Sequence, residues 1–365
     1  MHVPLADLKA QYTSIRSEIE QAIFTTLENT SFISGPAVAQ FEEAFAEYLG
    51  VAHAVGCGNG TDSLEILLRA MDIGPGDEVI VPAMSWISTS EVVVTAGATP
   101  VFVDVDPATF TIDPTLIAAK ITDRTRAIIP VHLYGHPADM PAIMATAEQH
   151  NLRVIEDCAQ AHGAAIRGQK AGTWGHAASF SFFPSKNLGA YGDAGAMVTN
   201  DAALALRVRQ IARHGQERRH HHILHGRNSR LDTLQAAILL AKLPYLEQWT
   251  DQRIRWADYY QEQLGDKGLL ACPITRPDYR HVFHLYVIRH PDRDNLRKYL
   301  TEQDVQTGIH YPTALPFHPC YEYLQQRAED FPVAHSYQSQ ILSIPMYAEL
   351  PAEAAQYVVE TICRY

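Results

Sequence analysis

The chain predicts an α/β fold with a mostly parallel central sheet covered by helices on both faces, followed by a smaller C-terminal α+β domain. Three observations carry this. Between Asp77 and Asp157 short β-branched strands alternate with helix-length segments, the pattern of βαβ crossovers. The strands, such as Glu78-Val79-Ile80-Val81-Pro82 and Pro100-Val101-Phe102-Val103, are nearly continuous in apolar residues, as strands buried on both faces are. Proline and charge then rise around Cys272 to Arg280 after a long helical stretch. The chain accordingly divides into a large unit over 1–250 and a small one over 251–365.

Taken in order, Leu5 to Glu28 carries Leu8, Tyr12, Ile15, Ile19, Ile23 and Leu27 at helical spacing, and Ser31 to Pro36 breaks it. A second amphipathic helix runs from Val38 to Tyr48. The strand His53 to Gly56 and the turn Cys57-Gly58-Asn59-Gly60-Thr61 lead into a helix from Asp62 to Met71, with Asp62 and Glu65 spaced as a capping box. Strand, glycine turn and helix N-terminus in that order make a phosphate cradle or a tight turn with nothing bound. Next come a helix at Ile87 to Ala96, the strand Thr99 to Val105, a helix at Pro114 to Ala119, the strand Ala127 to Tyr134, a helix at Met140 to His150 and the strand Arg153 to Asp157. Trp86, shortly after the strand ending at Pro82, could stack on a planar ligand or pack a helix turn. Helices then cover Asp201 to Gly215, Leu231 to Trp249 and Gln252 to Leu264. The small unit reads as a strand at His284 to Ile288, a helix at Asp294 to Gln303 and a last helix from Ala352.

With 365 residues, 47% hydrophobic and 19% charged, the chain is long enough for a sizeable core. It shows no apolar run of membrane-spanning length and no secretory leader, so a cytoplasmic location is the default. A formal charge of −12 disfavours a nucleic-acid partner. Cys57, Cys158, Cys272, Cys320 and Cys363 are odd in number and lack close pairing, which argues for reduced, mostly core thiols and against disulfides or a metal cluster. One local basic patch runs from Arg213 through Arg218-Arg219-His220-His221-His222.

Chemistry concentrates between Arg153 and Thr199. Asp157, the one acid of its strand that reads as buried, ends Arg153-Val154-Ile155-Glu156-Asp157, and Lys186 follows the proline-broken aromatic strand Ser179-Phe180-Ser181-Phe182-Phe183-Pro184. A pyridoxal phosphate enzyme needs such a pair: a lysine for the Schiff base and an acid to keep the pyridine nitrogen protonated. Neither is decisive alone, since loop lysines are commonly solvated and strand-end acids commonly cap helices. Of the seven lysines, however, Lys9, Lys120, Lys170, Lys242, Lys267 and Lys298 sit in helix-like or turn patterns and read as surface residues.

Four motifs together resemble the DegT-type sugar aminotransferases. They are Gly58-Asn59-Gly60-Thr61-Asp62-Ser63-Leu64, Glu156-Asp157-Cys158-Ala159-Gln160-Ala161-His162-Gly163, Ser181-Phe182-Phe183-Pro184-Ser185-Lys186, and Asn228-Ser229-Arg230-Leu231-Asp232-Thr233-Leu234-Gln235-Ala236-Ala237. The resemblance spans nearly the whole chain. It implies the aspartate aminotransferase-like fold type I and a pyridoxal phosphate cofactor. Lys186 would be the catalytic lysine, Asp157 the pyridine partner, Gln160 the neighbour of the ring hydroxyl and Trp86 the stacking ring, with Gly60, Thr61 and Ser181 at the phosphate. Asn228 would reach the phosphate of a neighbouring subunit, so the site would need a homodimer. On the substrate side it implies His162, His214, Arg230, His310 and Tyr311. Substrates would be a nucleotide-linked keto sugar and L-glutamate. Relatives that deoxygenate carry histidine at the lysine position, and this chain keeps Lys186, which favours amino transfer. The Arg213 to Arg230 run leans toward 3-keto sugars over 4-keto ones. The competing readings are a lyase or desulfurase of the same fold, which would need a reactive cysteine, and a non-catalytic binding module.

Overall fold

The computed structural model describes residues 1–265 and 270–365, so Lys267 lies outside the described residues. The N-terminal amphipathic stretch is two helices, α1 (Leu8–Ser14) and α2 (Arg16–Glu28), because Ile15 between them leaves helical geometry at φ −130°, ψ 31° as its side chain enters the core. α3 (Pro36–Leu49) starts on a proline, whose missing N–H costs nothing in a first turn, and stops at Gly50 with φ 80°. β1 (His53–Cys57) leads into α4 (Gly60–Ala70). The expected capping box does not cap α4. The helix begins earlier, at Gly60, so Asn59 is the cap and accepts from the Asp62 N–H at 2.8 Å. Asp62 and Glu65 instead pair with Arg227.

The chain continues through β2 (Glu78–Pro82), α5 (Ser88–Thr95), β3 (Thr99–Val103), α6 (Pro114–Ile117), β4 (Thr125–Ile128), α7 (Met140–Gln149), β5 (Arg153–Asp157), β6 (Ala177–Ser181) and β7 (Gly195–Thr199). β4 stops short of the expected Tyr134. Pro130 cannot donate to a ladder, and Tyr134 turns left-handed at φ 59°. α8 (Ala202–Ala212) ends three residues before Gly215, where Arg213 bridges to Asn228. Pro244 splits the expected Leu231–Trp249 helix into α9 (Thr233–Lys242), a single tight turn, and α10 (Leu246–Leu264). β8 (Tyr286–Arg289), α11 (Arg293–Glu302), α12 (Pro332–Tyr337), β9 (Ile341–Ile344) and α13 (Ala352–Arg364) complete it.

The seven main strands form one sheet in the order β1-β7-β6-β5-β4-β2-β3. β7 runs antiparallel to both of its neighbours, while β6, β5, β4, β2 and β3 are mutually parallel. The carboxyl ends of β1, β2, β5 and β6 therefore share one rim, where ligands of such sheets bind. Behind it, Phe41 and Phe45 of α3 pack Phe180 and Phe182 edge-to-face, with ring centroids 5.0–5.3 Å apart. β8 pairs antiparallel with β9, and α10, α11 and α13 cover that pair. α10 serves both regions, placing Trp249 against α2 and α9 and Tyr260 in the C-terminal cluster. The division expected at 250 thus falls inside a helix.

Two expectations about side chains fail. Lys242 is fully buried on the inner face of α9. Only Cys57 and Cys158 are core thiols, Cys272 being half-buried and Cys320 and Cys363 exposed. The aromatic cluster, by contrast, is buried and tightly packed. Phe45→Ala should lower unfolding free energy by about 3–5 kcal/mol, checked by denaturant titration, and a loss below about 1 kcal/mol would contradict this packing.

Candidate active site

Lys186 and Asp157 meet at the rim because β5 and β6 are adjacent and parallel, with Asp157 level with Ser179. Lys186 lies on a turn that begins at Phe182 and closes where the Ala190 N–H donates back to the Phe182 carbonyl at 2.8 Å. Asp157 is buried. Its carboxylate accepts from the Thr89 hydroxyl at 2.9 Å and the Ala159 N–H at 3.1 Å, and Ser85 lies 2.8 Å from Thr89. Thr89 was not singled out from the sequence, where it is one hydroxyl among several at the start of α5. Burial raises the Asp157 pKa despite these donors and the nearby Lys186. Burial also lowers the Lys186 amine to about 8, with Asp157 partly opposing. Both groups are thereby drawn toward their neutral forms.

The glycine turn sits against the same rim. A Cβ on Gly60 would come within 2.7 Å of Ser181 Cβ, and one on Gly195 within 2.5 Å of the Asn59 carbonyl. Only glycines allow the N-terminus of α4 to approach β6 and β7 so closely, which leaves its first N–H groups available to an anion. Thr61 shares a 2.7 Å hydrogen bond with Ser88.

A ring of hydrogen bonds joins Gln160 to the C-terminal region. The Tyr134 N–H donates to Gln160 Oε1 at 2.6 Å, Gln160 Nε2 donates to the Tyr311 hydroxyl at 3.1 Å, and the Tyr134 hydroxyl donates to the His310 carbonyl. Trp86, 56% exposed, lies over Tyr311 with centroids 5.5 Å apart. His310 Nδ1 shares a proton with Ser343 at 2.8 Å. Tyr134 is the hub of this circuit. In the sequence it is only the last residue of the expected strand Ala127 to Tyr134.

Three imidazoles, His162 and His284 buried and His310 half-buried, feel the charge of Lys186. Burial lowers His310 to about 4 and His162 to about 3, and takes His284 well below its usual value, with Lys186 the next cause for each. His162 is fully buried against Phe180 and Phe182, and neither ring nitrogen has a protein partner. His284, not anticipated, pairs with Asn187 at 3.1 Å. Glu156 was read as the outward acid of its strand, yet it too is fully buried. Its carboxylate accepts the N–H groups of Gly172, Trp174 and Gly175 at 2.8 Å and pairs with His132 Nε2 at 2.9 Å. That nest satisfies it completely, so it is an anchor for β5. Although His132, Glu156 and Cys158 are close enough to hold a metal, those donors already occupy the carboxylate.

Asn228, His214 and Arg230 are not drawn into this chain's own rim. Asn228 and His214 are exposed, Arg230 is half-buried, and the segment is tied to the glycine turn where the Gly58 N–H donates to Ser229 Oγ at 3.0 Å. Burial, then repulsion from Arg209 and Arg230, holds the Arg213 guanidinium below its usual pKa.

The model of the DegT/DnrJ/EryC1/StrS aminotransferase family matches residues 13–363. The chain is 47% identical over 363 residues to a UDP-N-acetyl-3-dehydro-alpha-D-glucosamine 3-aminotransferase of Acidithiobacillus ferrooxidans, covering 99% of this chain and 97% of that one. Among solved structures, DesV of S. venezuelae superposes with a TM-score of 0.97 at 41% identity, covering 100% of this chain and 98% of that one. NtdA of Bacillus subtilis, solved with bound cofactor PMP, gives 0.92 at 34% identity, covering 100% and 85%.

The amine's depressed pKa is measurable in the free protein. Acylation of Lys186 followed by peptide mass spectrometry should show a midpoint near pH 8. Asp157→Asn should move that midpoint lower, because the carboxylate favours the ammonium form. A wild-type midpoint at the ordinary lysine value would refute the burial argument.

Proposed function

The chain belongs to the DegT/DnrJ/EryC1/StrS aminotransferase family, and we propose that it is a pyridoxal phosphate-dependent enzyme that aminates a nucleotide-linked 3-keto hexose with L-glutamate. The observation that carries this reading is the pairing of a buried carboxylate and a pKa-lowered amine at adjacent parallel strand ends. The cofactor fits the residues present. Asp157 has two neutral donors and a raised pKa, so a cationic ring nitrogen would stabilise its ionised form. The Gly60–Ser181 approach offers backbone N–H groups to a phosphate.

Pyridoxal phosphate, when bound, supplies an electron sink for carbanion charge and carries the amino group between substrates. The chain's own residues do the rest. Lys186 Nζ would hold the cofactor, and its amine would take the proton from the donor's α-carbon and return one to the acceptor carbon. A pKa near 8 suits both directions. Asp157 would hold the proton on the ring nitrogen. Gly60, Thr61 and Ser181 would hold the phosphate, Gln160 would face the ring hydroxyl, and Trp86 would stack on the ring. His310 and Tyr311 would line the substrate side, while His162 stays packed against Phe180 and Phe182.

The remaining parts come from a second copy in a homodimer. In this reading Asn228 reaches the partner's phosphate, Arg213 and Arg230 bring positive charge to the diphosphate or to a substrate carboxylate, and His214 lies beside them. The enzyme works in the cytoplasm. A desulfurase would need an accessible thiolate, and burial, with Glu156 and Asp157 nearby, pushes the Cys158 thiol well above its usual value.

Lys186→Ala should abolish turnover and the absorbance of the lysine-bound cofactor. Purified enzyme assayed with glutamate against 3-keto and 4-keto nucleotide hexoses should consume only the 3-keto compounds. Full activity in the variant, or a preference for 4-keto sugars, would overturn the corresponding part of the proposal.

A further inference from the structure

Lys242 is a buried amine without an assigned task. Its side chain is fully buried; burial lowers its pKa to about 8, with Glu349 opposing, and a buried polar group is costly unless hydrogen-bonded. One of its two hydrogen bonds goes to the turn that carries Lys186. Lys242 Nζ donates to the Gly189 carbonyl at 2.7 Å and to Gln11 Oε1 of α1 at 3.0 Å, and it lies 4.1 Å from the centre of the Tyr191 ring. Two turns earlier on the same face of α9, Gln235 accepts the Tyr191 N–H at 2.9 Å. One helix face therefore grips the chain at Gly189 and Tyr191.

The turn itself is tight. A Cβ on Gly189 would come within 2.3 Å of the Pro184 carbonyl oxygen, so the chain doubles back on itself around Lys186. Its first flank is held where Asn187 Nδ2 donates to the Val282 carbonyl at 3.1 Å. Its second flank is held by Lys242. We infer that Lys242 is a positioning residue for the reactive lysine: its ammonium pins the Gly189 carbonyl and so sets where the Lys186 turn presents its amine. Removing the ammonium leaves that buried carbonyl without its side-chain donor and frees the turn on the side facing α9. The inference rests on Lys186 being the reactive lysine, but the mobility of the turn reports Lys242's hold independently of any activity.

Hydrogen–deuterium exchange on the holoenzyme tests it. In Lys242→Met the amides from Lys186 to Gly192 should exchange about tenfold faster, with those of α9 unchanged. In the same variant kcat should fall about tenfold or more while KM for both substrates stays within about twofold. Gln11→Leu, which removes the ammonium's other acceptor, should leave the turn's exchange at the wild-type rate. Lys242→Gln, which keeps a donor for the carbonyl, should recover most of the protection and carries the test if the methionine variant does not fold. Uniform loss of protection across α9 and the turn, loosening by Gln11→Leu as large as by Lys242→Met, or no recovery by glutamine, would each overturn the inference.

Discussion

Everything at the rim depends on one placement, a buried carboxylate and a half-buried amine brought together at adjacent strand ends. Asp157 and Lys186 each lose hydration, and their attraction offsets only part of that loss. The result is an acid biased to gain a proton and an amine biased to lose one. Solvated side chains at the same spacing would keep their ordinary protonation, and neither would suit proton transfer at neutral pH. The parallel pairing of β5 and β6 makes the placement, and the Glu156 nest behind it fixes the end of β5.

A second constraint is backbone proximity. Gly60 and Gly195 admit no side chain because α4, β6 and β7 converge on one point. The helix end is thus delivered to the rim by the absence of side-chain atoms. Around this rigid floor, Tyr134 closes a hydrogen-bonded circuit that carries the floor's position to His310 and Tyr311 across the sheet edge. Two distant stretches of sequence thereby share one geometry.

Much of this was legible in order. β-branched runs between helix-length segments predicted the sheet, and four motifs marked Lys186, Asp157 and the glycine turn. What misled were features with the same local signature and different surroundings. Asp62 and Glu65 have the spacing of a capping box, yet Asn59 caps the helix because the chain turns two residues sooner. Glu156 and Asp157 are neighbours in one strand, and both proved buried because helices and loops cover both faces. Tyr134 and Thr89 carry no distinctive pattern. Their roles come from partners more than twenty residues away.

The lysines divide what each level of description decided. An aromatic strand broken by proline and followed by glycines singles out Lys186, because such flanks force a turn at the carboxyl end of a strand whatever packs around it. By itself the sequence marked that lysine, its neighbouring acid and the parallel sheet that joins them. Lys242 sits in an ordinary helical pattern, where local periodicity cannot distinguish a face turned to water from one covered by a remote loop. Only the tertiary structure lays the Lys186 turn over that face, because burial is a property of what packs against a residue and not of the residues beside it in the chain.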